Sequence, residues 1–291
     1  MPRAVKEVLI NYDYSTQRRE GAKKKPGSEM INNLCVFASL RQKLIEVSLK
    51  SSLLFALMAA ALPILAAPCA GNVYLTLDTG NMSQAELIAR VLNEEQVKAT
   101  FFIANERTFR HDYALDASWA GYWRARVAEG HVFGNHTWSH HYQRRDTEDG
   151  KLLAYAVDGK AVPLDKAQFC AELSQVDTTF HKLTGQHLSG LWRAPGGRTT
   201  QNTIRWAASC GYPVYIGWDD AGHLGDDLPS EKFTNAALLE RAQKNIQPGA
   251  VLLMHLGIQS RKEPLAPILK PLIQDLKARG LCFRTLDVAG R

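Results

Sequence analysis

Two histidines four residues apart, His136 and His140, lie near the end of the stretch Glu129–His141, EGHVFGNHTWSHH. A short apolar strand, Val132 and Phe133, leads to them through Gly134 and Asn135. In any helix beginning there, residues four apart share a face about one turn apart, so two imidazoles fall close enough to share a metal ion. A pair is only part of a site, and the chain has nine histidines. The pair gains weight from what other apolar runs deliver. Asp78 ends NVYLTLD, Arg193 follows Leu191-Trp192, Asp219 and Asp220 follow Val214–Gly217, and His255 follows Ala250–Met254. Together they suit hydrolysis of a poor electrophile. A metal polarises a carbonyl and acidifies water, a carboxylate takes a proton, and an imidazole tuned by an adjacent acid such as Asp219 or Asp220 returns one to the leaving group.

The elements that must position these groups alternate. Asn72–Asp78 is a near-continuous β-former run of the kind that makes a buried parallel strand. Ser83 and Glu86 have capping-box spacing ahead of a helix with Leu87, Ile88, Val91 and Leu92 on one face. Lys98–Ile103 is a second strand, and a tryptophan-rich helix (Trp119, Trp123) ends at Gly130 before the third. The pattern then breaks between Arg144 and Pro163, where Asp158-Gly159 between apolar residues signals a hairpin, an inserted flap near the histidines. Asp165 with Gln168 caps a helix whose stripe is Phe169, Leu173, Val176, Phe180 and Leu183, stopped by Gly185. Helices follow at Gln201–Cys210, Thr234–Asn245 and Pro267–Arg279, and the last strand at Cys282–Leu286. About seven strand–helix units imply an α/β fold, a closed or partly closed (β/α) barrel, with chemistry expected at the C-terminal ends of the strands.

Composition bounds the rest. The chain has 291 residues, 45% of them hydrophobic, enough for one large domain. The pI near 9.0 reflects the leader, because residues 1–50 hold ten Lys/Arg and five Asp/Glu, leaving 25 basic and 24 acidic residues in the remainder. That near-neutral body lacks the basic stripe of a nucleic-acid binder. Arg41, Lys43 and Lys50 precede Ser51–Ala67, SSLLFALMAAALPILAA, an apolar run of signal-peptide length ending in small residues. Residues 1–70 are therefore expected to be a basic leader and secretory signal, with the mature chain starting between Ala67 and Gly71 and keeping no stable membrane span. Residues 71–291 form the catalytic domain. Cleavage leaves four cysteines bound for an oxidising compartment. Cys69 with Cys282 and Cys170 with Cys210 are the favoured pairs, since the first two flank the first and last strands and the others sit on consecutive helices.

LTLDTG (Leu75–Gly80), ATFFIAN, EGHVFGNHTWSH, RAPGG, WDDAG and LLMH, in that order over about Asn72 to Leu286, resemble the motifs of the polysaccharide deacetylases of the NodB-homology family, carbohydrate esterase family 4. The resemblance implies a distorted (β/α) barrel, N-deacetylation of an N-acetylated glycan such as peptidoglycan or a chitin-like polymer, and a divalent metal, usually zinc. It makes His136 and His140 metal ligands, Asp78 the base, Arg193 the group that orients it, His255 the general acid, and the Gly196 N–H an oxyanion donor, with the motif-four acid either Asp220 or Asp219. Trp218, with Trp138, Tyr142 and Trp192, is an aromatic that can stack on a sugar face or fill core. One position departs from the family. Its first motif ordinarily carries two adjacent acids, and the second, a metal ligand, is Thr79 here. Three arrangements are open: a metal on two histidines and water, a nearby acid as substitute, or no metal. The alternatives to a glycan deacetylase are an amidohydrolase of small amides and a non-catalytic glycan-binding module.

Overall fold

A computed structural model of the protein describes residues 68–286. The basic leader and the apolar segment at 51–67 lie outside the described residues. Among the described residues no helix is long and apolar enough to cross a membrane.

Strand β1 (Gly71–Asp78) is the axis of the fold. Its Val73, Leu75 and Leu77 are wholly buried, as are Thr76 and nearly all of Asp78, because parallel neighbours flank it and helices cover the sheet. On one side lies β2 (Thr100–Ile103). On the other, β10 (Leu281–Phe283) pairs with Gly71–Val73 and β9 (Val251–His255) with Tyr74–Asp78. The sheet continues from β2 through β3 (Val132–Asn135) and β7 (Leu191–Trp192) to β8 (Val214–Tyr215), every pair parallel. These seven strands curl into a half-barrel, and His223 adds a parallel bridge to Leu253 at the outer edge of β9. The expected distorted (β/α) barrel of about seven parallel strands is this fold. Strand β3 packs closely against its neighbours at Gly134, where a Cβ would lie 2.7 Å from the Phe102 ring.

Helices α1 (Ala85–Glu94), α2 (Ala120–Ala128), α3 (Lys166–Thr184), α4 (Gln201–Ser209), α5 (Asn235–Asn245) and α6 (Leu269–Ala278) return the chain between strands. Helix α3 starts in the expected capping box, Asp165 accepting from Gln168 N–H and Gln168 from Asp165 N–H, and ends at Gly185 with φ 78°. The capping box expected at Ser83 and Glu86 is absent. Ser83 N–H instead donates to Asn81 Oδ1, and α1 begins two residues later without a side-chain cap. Trp123, fully buried, sets its ring edge-on to Phe101 and Phe180 and donates its Nε1–H to Ala114 O at 2.7 Å. Trp123→Ala is expected to destabilise the domain by about 3–5 kcal/mol in urea unfolding, since cavity and lost hydrogen bond add.

The inserted flap is larger than its hairpin signal. Strands β5 (Leu152–Tyr155) and β6 (Ala161–Leu164) form the hairpin over Asp158-Gly159, and the polar stretch before them is a third strand, β4 (Tyr142–Asp146), antiparallel to β5. Arg144, Arg145 and Asp146 face outward or stay part-exposed, which hid the strand from an apolar pattern. Disulfides join Cys69 to Cys282 and Cys170 to Cys210, with Cα separations of 5.6 and 5.7 Å, as favoured from their positions.

Candidate active site

The parallel strands all present their C-terminal ends to one rim, and the predicted residues arrive there with different surroundings. Asp78 and His255 are register partners at the ends of β1 and β9. Arg193, directly after β7, is fully buried. Its Nη1 donates to Asp78 Oδ1 at 2.7 Å and to Thr76 Oγ1 at 2.9 Å, its Nε donates to Ile216 O at 3.1 Å, and its guanidinium lies 4.2 Å from the Phe102 ring centroid. Burial alone raises the Asp78 carboxyl, but Arg193, then His136 and His255, outweigh it and hold Asp78 below the ordinary carboxylate range. Asp78 is therefore ionised at neutral pH.

His136 donates from Nδ1 to Arg193 O at 2.9 Å, a carbonyl that can only accept, which leaves the Nε2 lone pair 3.4 Å from Asp78 Oδ2. Burial pushes His136 down to about 4 despite Asp78, so the ring is neutral. The histidine pair does not lie on a helix. The chain leaves β3 in a loop with Thr137 at φ 62° and His140 at φ 51°, which brings the two ring centroids to 4.9 Å. Side chains hold this loop in place. Asn135 Oδ1 accepts from Thr137 N–H and its Nδ2 donates to Leu173 O, while Ser139 donates from N and Oγ to Glu172, so two residues of α3 buttress it.

Two acids missed in the sequence complete the rim. Glu106, just beyond β2, accepts on Oε2 from Thr79 Oγ1 and from Gly80 N–H, both at 2.7 Å, while Oε1 lies 4.0 Å from His140 Nδ1. Burial raises its carboxyl, but His140 and the Thr79 hydrogen bond lead the effects that hold it below the ordinary range. Its place three residues past a buried strand was a usable signal. Asp226 is the acid against His255, its Oδ1 3.1 Å from His255 Nδ1 and its Oδ2 accepting from His255 N–H at 2.6 Å. Asp226 sits in an irregular loop and had no pattern to mark it.

Asp220, one of the two acids expected in the fourth motif, is exposed, while Arg193 pairs with Asp78 as expected. Asp219 turns its Oδ1 to Gly222 N–H within its own loop. The physical reason is loop length: the chain runs on past both acids before Asp226 reaches β9. Burial alone pulls His255 down, but Asp226, then Asp78 and Glu106, raise it to about 9. Gly196, at φ 65°, is exposed in the turn after Arg193 beside the Tyr142 ring. Trp218 stands over Gly197 and 5.3 Å from the Arg193 guanidinium, whereas Trp192 is core. A groove of about 690 Å³ runs along this rim past Glu106, His140, Tyr113, Trp138 and Tyr142 to Val157 at the flap tip.

Among the described residues no three His, Cys, Asp or Glu side chains already surround one point at coordination distance. The donors stand as two facing pairs, His136 with Asp78 and His140 with Glu106, and the buried His140 Nδ1 has no hydrogen-bond partner. A lone pair facing a carboxylate is repulsive unless a proton or a cation lies between them, and two imidazoles with one carboxylate are a common zinc donor set. The residues fit a divalent ion.

Fold and rim together set a buried carboxylate beside an imidazole at the mouth of a half-barrel. Residues 66–215, about half the chain, match the family model of polysaccharide deacetylase. The chain belongs to the polysaccharide deacetylase family, carbohydrate esterase family 4. A peptidoglycan-N-acetylglucosamine deacetylase of Bacillus cereus is 25% identical over 217 residues, 74% of this chain and 86% of that one. A peptidoglycan-N-acetylmuramic acid deacetylase of Bacillus subtilis is 22% identical over 223 residues, 74% and 70% of the two chains. The structure of a family 4 carbohydrate esterase from Streptomyces lividans in complex with acetate superposes with TM-score 0.55 at 22% identity, covering 75% of this chain and 94% of that one.

Proposed function

We propose that the protein is a secreted or periplasmic N-deacetylase that releases acetate from peptidoglycan or a chitin-like N-acetylhexosamine polymer. A divalent ion, zinc by the chemistry of its donors, is held at His136 and His140. The names of the relatives support the polymer, and the disulfides support export. One observation carries the reading: an ionised Asp78 and a protonated His255 stand side by side on adjacent strands. Those are the two protonation states that amide hydrolysis needs at neutral pH.

The bound ion supplies carbonyl polarisation and a more acidic water. Asp78, fixed by Arg193, takes the proton of the attacking water. The Gly196 N–H faces the oxyanion. His255, kept charged by Asp226, protonates the departing amine, without which the tetrahedral species returns to the amide. Tyr113, Trp138 and Tyr142 offer ring faces to sugars along the groove.

The test is acetate release from purified peptidoglycan and from chitin oligomers, with and without added zinc, set against Asp78→Asn. Zinc-stimulated release from a polymer, lost in the variant, is the expected result. Release from small acetamides but from no glycan would replace the polymer with a small amide, and glycan binding without release from any substrate would leave a binding module.

A further inference from the structure

We propose that Glu106 is the carboxylate ligand of the metal, replacing the acid absent at position 79, and that Thr79 is its positioning residue. The proposal rests on the metal-dependent reading above. Its ground is the unequal treatment of the two Glu106 oxygens. Oε2 is saturated by two short hydrogen bonds, from Thr79 Oγ1 and Gly80 N–H, and Thr79 Oγ1 is itself fixed by accepting from Ala104 N–H at 3.2 Å. Oε1 is left free and faces His140 Nδ1 at 4.0 Å, too far for a hydrogen bond. That nitrogen is buried and has no hydrogen-bond partner among the described residues. The buried, partnerless imidazole nitrogen carries a cost that a cation held between it and the part-exposed carboxylate oxygen removes.

The spacing suits such an ion. Two ligands at about 2.0–2.1 Å from a tetrahedral zinc stand roughly 3.4 Å apart, so the 4.0 Å gap closes with about half an ångström of side-chain movement. His136 Nε2, with its lone pair turned into the same rim, gives the second imidazole. The resulting set of two histidines and one glutamate is a chemically ordinary zinc set that leaves a position for water. Thr79 is short and neutral, so it cannot supply the missing charge. Its hydroxyl instead orients the longer side chain that reaches in from the end of β2.

The test is zinc affinity, measured by competition with a chromophoric chelator on the full chain, alongside thermal unfolding of each metal-free protein. Glu106→Gln keeps the shape of the side chain and is expected to weaken zinc binding at least about 100-fold, and Thr79→Ala about 10-fold, the scale expected for loss of a group that holds a ligand. The double variant Thr79→Asp/Glu106→Gln moves the carboxylate to the position directly after β1 and is expected to regain most of the affinity. Unchanged affinity in Glu106→Gln, or no recovery in the double variant, overturns the proposal, as does a wild-type chain that binds no zinc. Should Glu106→Gln not fold, Thr79→Ala decides alone, because it removes the hydroxyl's two hydrogen bonds, to Glu106 and from Ala104 N–H, and no charge. Acetate release separates this from the wider reading. If wild type deacetylates glycan while Glu106→Gln still binds zinc tightly, only the ligand assignment falls; if zinc binding depends on Glu106 and no glycan is deacetylated, only the deacetylase reading falls.

Discussion

Asp78→Asn is expected to lower acetate release about 1,000-fold at neutral pH while the protein still folds. Asparagine has the same shape and can still accept from Arg193 Nη1, but it cannot take a proton from water, and losses of 10²- to 10⁴-fold are typical when a general base is removed. The substitution also leaves the Arg193 guanidinium, wholly buried, without its counter-ion. Removing one partner of a buried pair costs about 3–5 kcal/mol. Hydrogen bonds to Thr76 Oγ1 and the Ile216 carbonyl, with the Phe102 face, still hold the cation in place. Urea unfolding should therefore show a clear loss of stability with a single cooperative transition. Rates referred to the folded fraction separate the two effects, and turnover within tenfold of wild type in folded Asp78→Asn would rule the residue out as base.

The second large effect belongs to Asp226, a positioning residue for His255. His255 in the folded protein is raised to about 9, chiefly because Asp226 overcomes the downward pull of burial. Its ordinary value is near 6.5. Wild-type kcat/KM should therefore hold on the alkaline side until about pH 9, while the imidazole keeps its proton. In Asp226→Asn the attraction is gone and the alkaline limb should fall to about 6.5 or below, lowering kcat/KM at pH 8 by roughly 10- to 100-fold with little change near pH 6. Stability carries the same signature. A group whose folded pKa lies above its unfolded value stabilises fully below the unfolded pKa, here about 6.5, and loses that contribution as pH rises through the folded value. Wild-type unfolding free energy should decline between about pH 6.5 and 9, and Asp226→Asn should flatten that slope. An alkaline limb that stays near 9 in the variant would show that Asp226 does not set the protonation of His255.

Much of the fold was legible because burial writes itself into a parallel strand. Leu75, Leu77, Phe101 and Phe102 are buried on both faces of the sheet, so β1 and β2 read as apolar runs without needing a neighbour to be known. The capped ends of α3 were equally local, since Asp165, Gln168 and Gly185 act within a few residues of themselves. Strand β4 was not legible, because its arginines face water and only pairing with β5 makes it a strand. The His136–His140 loop was hidden for a related reason. Spacing of four suits a helix, but Thr137 and His140 take positive φ, held by Asn135, Ser139 and the end of a glutamate side chain from α3.

The sequence by itself determined which chemical groups the protein owns and that most of them end buried strands, because strand exits follow from local apolar pattern. It thereby placed Asp78, His136, His140, Arg193 and His255 at one rim, along with the missing acid at Thr79. Only the tertiary structure decided the partners: Asp226 and not Asp220 beside His255, Asp78 beside Arg193, and Glu106 over Thr79. Those pairings join residues 27 to 115 positions apart through loops with no periodicity. An ion pair or hydrogen bond depends on a few ångströms of separation in space, which no local pattern along the chain encodes.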